Sequence, residues 1–168
     1  GVAQKGCIWL KLSVSGKTSH GAEPWQGINA LEQGFGLLAD LREELMREEH
    51  PVLGRSTLQI TMAEGGIAPN MTPDRAQFLA DIRIVPPLNE KEVLNRLKCL
   101  IEKRCDVYNG GLSFAPEISN YRMPVETGPK NQWLHRLKGF IGDDAGETGI
   151  NYFTDASIFL TAWPDSPA

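Results

Sequence analysis

The chain has 168 residues, 41% of them apolar, which is enough for one domain with an appendage around a buried core. Its formal charge is −4, from 17 Lys and Arg against 21 Asp and Glu, and the two signs are interspersed, so no basic stripe is offered to nucleic acid. No apolar run approaches the roughly 18 residues of a membrane span, and Gly1 to Lys5 lacks the apolar stretch of a signal peptide, which makes the cytoplasm the expected setting.

From Cys7 to Val14, Ile8, Leu10, Leu12 and Val14 alternate with Trp9, Lys11 and Ser13, the period of a strand with one buried face. After a loop rich in Gly, Ser and Pro, the spacing of Ile28, Leu31, Phe35, Leu38 and Leu45 predicts a helix over Gly27 to Glu49, followed by Pro51. Leu58, Ile60 and Met62 alternate with Thr57, Gln59 and Thr61 as a second strand that closes at Gly65 and Gly66. A loop from Ile67 to Asp74 leads to a third strand on Ala76, Phe78, Ala80, Ile82 and Ile84, ended by Pro86 and Pro87. Asn89 is a good N-cap for a helix using Val93, Leu94, Leu97 and Ile101, and Leu112 to Ile118 supplies a fourth strand.

Strand, helix, strand, strand, helix, strand from Gly6 to Ile118 is the order of an α+β, ferredoxin-like βαββαβ sandwich, a four-stranded antiparallel sheet with two helices on one face. That arrangement buries the single apolar stripe of each helix and the single apolar face of each strand. Beyond Ser119 the texture changes. Pro124, Gly128 and Pro129 precede a short amphipathic helix at Asn131 to Phe140 and a Gly-rich, acidic stretch from Gly142 to Gly149, so a boundary is expected between Pro116 and Pro124. A first residue Gly1 and a tail of Trp163 to Ala168 without a terminating helix read as a piece of something longer. Cys7, Cys99 and Cys105 fit neither a paired-thiol zinc site nor a disulfide framework and are expected to be reduced.

The most informative stretch for chemistry is Gly16 to Ala30, which holds His20 in a tight loop between the first strand and helix. An imidazole there could act as acid or base, ligate a metal or donate to an oxyanion; it could equally be a capping or surface histidine. Glu23 alone cannot complete a zinc site with it. A second group is Asn70, in the loop between Pro69 and Pro73, with Asp81 and Arg83 on the strand that follows. Asn70 offers a donor and an acceptor and Arg83 a planar fork for a carboxylate, although a turn residue and a surface ion pair are the ordinary readings of each alone.

Taken together, these residues resemble the zinc-dependent amidohydrolase and metallopeptidase family of acetylornithine deacetylase, succinyl-diaminopimelate desuccinylase, aminoacylase and carboxypeptidase G. Gly16, His20, Gly21, Pro24, Gly27, Asn29 and Ala30 match the opening motif of that family's lid, or dimerisation, domain. Gly65, Gly66, Pro69, Asn70 and the run Asp81, Ile82, Arg83 match its next strands, and Thr154, Asp155 and Ala156 resemble its turn in the catalytic domain. The resemblance implies that residues 1–5 end a linker from a catalytic domain, 6–118 form the lid and 119–168 are a partial catalytic segment. It implies a homodimer joined lid to lid, with His20 lent to the partner's active site as a transition-state donor. Asn70, Arg83 and Thr154 would be substrate contacts, and the substrate an N-acyl amino acid or related peptide. Two zinc ions would be held in the full-length enzyme by residues absent here, leaving this piece inactive alone and its segment after Ser119 loosely held, re-paired or docked on a neighbour. The competing reading is a non-catalytic ferredoxin-like interaction or small-molecule-sensing module.

Overall fold

The computed structural model describes residues 1–128, 131–142 and 146–162. Strands β1 (Ala3–Gln4) and β2 (Gly6–Ser15) lead through a 3₁₀ turn at Pro24–Gln26 into helix α1 (Ala30–Leu45). A small hairpin of β3 (Glu49–His50) and β4 (Gly54–Arg55) precedes β5 (Thr57–Gly65), β6 (Arg75–Ile84), α2 (Glu90–Asp106) and β7 (Ser113–Arg122). The chain continues with β8 (Val125–Glu126), α3 (Gln132–Ile141), β9 (Gly149–Ile150) and α4 (Ala156–Ala162).

The main sheet has the order β5-β6-β2-β7 and is antiparallel throughout, the βαββαβ sandwich read from the hydrophobic pattern. Ile8, Leu10, Leu12 and Val14 of β2 and Phe78, Ala80, Ile82 and Ile84 of β6 face the helices and are buried. They meet Leu37, Leu38, Leu41 and Leu45 of α1 and Val93 and Leu97 of α2. Each fully buried Leu or Ile contributes about 1.5–3 kcal/mol, so this layer dominates the energetics of the domain.

Several element ends differ from expectation for identifiable reasons. Helix α1 starts at Ala30, not Gly27, because Asn29 Oδ1 accepts from the Leu31 and Glu32 amides at 3.1 and 3.4 Å, as an N-cap does. It stops at Leu45, short of Glu49, because Glu49–His50 is drawn into the β3–β4 hairpin. There the buried His50 accepts the Val52 and Leu53 amides at Nδ1 and donates from Nε2 to Glu126 at 3.1 Å. Helix α2 keeps Asn89 as its cap, with Glu92 completing a capping box. Strand β7 runs to Arg122, four residues past Ile118, because a bulge lets it go on pairing with β2.

Part of the chain beyond Ser119 is tied to the start of the molecule. Strand β1 pairs antiparallel with β8 and parallel with β9 in a second, three-stranded sheet. The apolar side chains Trp133, Leu137, Phe140 and Ile141 of α3 are exposed. Residues 143–145, within the Gly-rich stretch, and 163–168 lie outside the described residues. Among the described residues no helix is long and apolar enough to cross a membrane, and the three cysteines are free.

Gly34 marks where α1 presses on the sheet: a Cβ there would lie 2.0 Å from Phe78 Cε2. Helix propensity favours Gly34→Ala by about 1 kcal/mol, whereas overpacking costs about 1–3 kcal/mol, so packing should win. We expect Gly34→Ala to lower stability in chemical denaturation, and an increase would show that α1 can lift off Phe78.

Candidate functional site

The loop carrying His20 leaves the end of β2 and is shut at its base by reciprocal backbone bonds, Lys17 N to Ile28 O at 3.0 Å and Ile28 N to Lys17 O at 2.7 Å. The closure needs close backbone approach, since a Cβ on Gly16 would lie 2.2 Å from Ile28 O and one on Gly27 2.5 Å from Ser19 Oγ. These glycines therefore serve packing rather than catalysis.

The β5–β6 loop clasps this one. Gly21 N donates to Asn70 O at 2.8 Å, Thr72 N to Ser19 O at 2.9 Å, and the Ser19 and Thr72 hydroxyls meet at 2.8 Å. Ala30 N and Gly16 N are tied to Pro73 O and Asp74 O. His20 and Met71 consequently form an isolated β-bridge, and His20 and Asn70, fifty positions apart in the chain, become neighbours on an exposed ledge. The Ala22 amide donates to His20 Nδ1 at 3.1 Å, so the ring proton resides on Nε2 and that edge is presented as a donor.

Arg83 lies at the other end of the sheet. Register pairs Ser15 with Arg75 at the His20 end and Cys7 with Arg83 at the far end. Eight residues of strand separate Arg75 from Arg83, about 26 Å at roughly 3.3 Å per residue. Arg83 Nε and Nη2 donate to the two oxygens of Asp81 at 2.6 and 2.8 Å, a bond that raises the Arg83 pKa above the ordinary guanidinium value. Trp9 Nε1 donates to the same carboxylate at 3.2 Å. This fork leaves Nη1 of Arg83 uncommitted to Asp81.

Thr154 belongs to the Arg83 end, because the ring of its neighbour Phe153 stands 5.6 Å from the Arg83 guanidinium. Thr154 Oγ1 donates to Gln4 Oε1 at 2.5 Å and accepts from the Ala156 amide at 3.3 Å, so it links the start of the last helix to β1. A cavity of about 140 Å³ opens beside it, lined by Gln4, Val125, Ile150 and Ala156 among others. Gln4 is buried and its Nε2 has no hydrogen-bond partner among the described residues. A larger groove of about 410 Å³, between Lys11, Met62, Gln77 and Glu117 on the open sheet face, touches none of the four residues singled out from the sequence.

The structure thus sorts those residues into two pairs, His20 with Asn70 and Arg83 with Thr154, at opposite ends of one sheet. Sequence reading missed Gln4 and Phe153, which carry no motif of their own and matter only through where β1 and α4 dock. Among the described residues no three His, Cys, Asp or Glu side chains converge as a metal site, so these residues do not by themselves fit a zinc centre.

A two-layer ferredoxin-like sandwich with a clasped histidine loop at one sheet end and an anchored arginine at the other defines the class as an α+β domain with polar side chains presented at both ends of its sheet. More particularly, the chain belongs to the M20 peptidase dimerisation domain family, whose model matches residues 2–109. It is 34% identical over 105 residues to a probable carboxypeptidase of Aspergillus flavus, covering 56% of this chain and 25% of that protein. It is 26% identical over 171 residues to acetylornithine deacetylase of Shigella sonnei, covering 96% of this chain and 43% of that enzyme. A putative aminohydrolase from methicillin-resistant Staphylococcus aureus shares the fold with a TM-score of 0.74 at 18% identity, over 98% of this chain and 43% of that one. The chain spans well under half the length of each of these proteins.

The clasp offers a direct check. Removing one hydroxyl by Ser19→Ala or Thr72→Val should cost about 0.5–1.5 kcal/mol, and the double variant should cost clearly less than the sum of the two. Strict additivity would show that the two hydroxyls do not bond in solution.

Proposed function

We propose that residues 6–118 are the lid of a dimeric metal-dependent amidohydrolase acting on N-acyl amino acids or related peptides, and that residues 119–168 belong to its catalytic domain. His20 stabilises the transition state in the partner's active site. The observation that carries this reading is the separation of about 26 Å between the His20–Asn70 ledge and the Arg83–Thr154 end, which no single small substrate spans within one chain.

A two-fold axis resolves the separation. If β5 pairs antiparallel with its own copy, the Gly65 end of one protomer meets the Thr57 end of the other, and Thr57 lies opposite Arg83. Three strand spacings, about 14 Å, then divide one protomer's β6 from its partner's, a gap that loops, side chains and a substrate close. The same pairing through β7 leaves five spacings, about 24 Å. Strand β7 also carries Pro116, which lacks an N–H, whereas β5 has no proline and exposes Met62 on the open face and Ala63 on the helix side. Strand β5 is therefore the dimer edge.

In the assembled site His20 of the partner subunit donates its Nε2 proton to the carbonyl oxygen as negative charge builds there, with the partner's Asn70 beside it. Arg83, oriented by Asp81, offers Nη1 to the substrate carboxylate, and Thr154 lies next to it. The metal ions that family resemblance implies, two zincs, would supply an activated water, and their ligands would lie outside the described residues. A non-catalytic sensing module is the weaker reading, since it gives no reason for the exposed Nε2 edge of His20.

In the full-length enzyme, His20→Ala should lower kcat/KM by about 10²- to 10³-fold with metal content intact. Mixing that variant with a subunit lacking its metal site should recover activity in heterodimers, and none would appear if the histidine served its own chain. Ala63 lies opposite Phe78 on the helix side of β5, so Ala63→Glu should turn a dimer into a monomer in light scattering; a persistent dimer would move the interface elsewhere.

A further inference from the structure

On the open face of the main sheet, at the end away from His20, Cys7 pairs with Arg83 on one side and with Arg122 on the other. Two strand spacings, about 10 Å, separate the backbones of the two arginines. Arg122 faces this way because of the bulge in β7. The ladder pairs Leu10 with Ile118 but Trp9 with Asn120, leaving Ser119 over, with its hydroxyl donating to Trp9 O at 3.2 Å. An unbroken ladder would set Tyr121 opposite Cys7 and turn Arg122 toward the helices. Instead Ile118 and Tyr121 both pack on the core, while Asn120 and Arg122 point to the open face.

The two guanidiniums share one aromatic platform, lying 5.6 Å (Arg83) and 6.0 Å (Arg122) from the Phe153 ring centroid. Their partners differ. Arg83 is neutralised by Asp81, whereas Arg122 donates Nη1 to its neighbour's carbonyl, Tyr121 O, at 2.8 Å. The Arg122 Nε is buried with no acceptor, and no carboxylate pairs with Arg122 among the described residues. The Cys7 thiol between them is buried, and burial raises its pKa, so it adds no negative charge. Asn120 donates to Cys7 Sγ at 3.9 Å and is neutral. Two cations therefore face one protein anion.

We propose that Arg122 is a specificity-determining residue, a second anion-binding group beside Arg83 that selects amides whose amino-acid part carries two carboxylates. This rests on the amidohydrolase reading above. One carboxylate takes the free edge of Arg83 and the other takes Arg122, with Phe153 holding both guanidiniums in place.

The test compares N-acetyl-L-glutamate with N-acetyl-L-methionine, which are similar in length, in the full-length enzyme and in its Arg122→Met and Arg122→Lys variants. The wild type should prefer the glutamate derivative, and Arg122→Met should cut that preference, as a ratio of kcat/KM values, by about 100-fold, with partial recovery in Arg122→Lys. An unchanged ratio overturns the proposal. If the wild type hydrolyses neither amide, the amidohydrolase reading fails for these substrates and the subsite is decided by binding. Glutarate should then raise the melting temperature of the wild type more than butyrate does, and Arg122→Met should abolish the difference. Equal shifts in wild type and variant would remove the second anion site.

Discussion

Strand β2 is hydrogen-bonded along both edges, to β6 over all ten of its residues and to β7 over nearly as many, and the placement of the His20 loop and of Arg83 and Arg122 depends on that register. Its alternate residues Ile8, Leu10, Leu12 and Val14 are buried, so a slip of one position would drive Trp9, Lys11 and Ser13 into the core. The penalty for such a slip locks the register. Once it is locked, the loop leaving Ser15 must emerge beside Arg75 and the strand entering at Gly6 must lie beside Ile84. One rigid element thus presents a histidine at one end and guanidinium groups at the other.

Rigidity also keeps this chain's two groups of polar residues apart. A sheet buried on one face by two helices does not fold back on itself, and its two ends stay about 26 Å apart. Antiparallel self-pairing at an edge turns that separation into proximity, because the two-fold axis reverses the direction of the second copy. The dimeric enzyme proposed here follows from that geometry together with membership of a dimerisation-domain family.

At the His20 end the backbone does most of the work. The ledge is held by amide-to-carbonyl bonds and one pair of hydroxyls, and the side chains of His20 and Asn70 are left exposed. At the Arg83 end the side chains are held by each other, through Asp81, Trp9, Phe153 and the contact of Thr154 with Gln4. The first arrangement leaves a hydrogen-bond donor exposed on a backbone-braced ledge. The second fixes its guanidiniums through side-chain partners drawn from β2, β6 and the segment before α4.

By itself the sequence determined the local features: the strands and helices of the sandwich, the Asn89 cap and the pairing of Asp81 and Arg83 on one strand face. These follow from periods of 2 and 3.6 residues and from caps, whose physics acts over a few residues. The His20 loop and Asn70 were legible as a motif but not as neighbours. Only the tertiary structure decided that the two loops clasp, that Ser119 is extruded and turns Arg122 beside Arg83, and that Phe153 and Gln4 meet the arginine end. The reason is that a bulge or a loop contact is settled by the strand or loop it meets, and that partner lies tens of residues away in the chain.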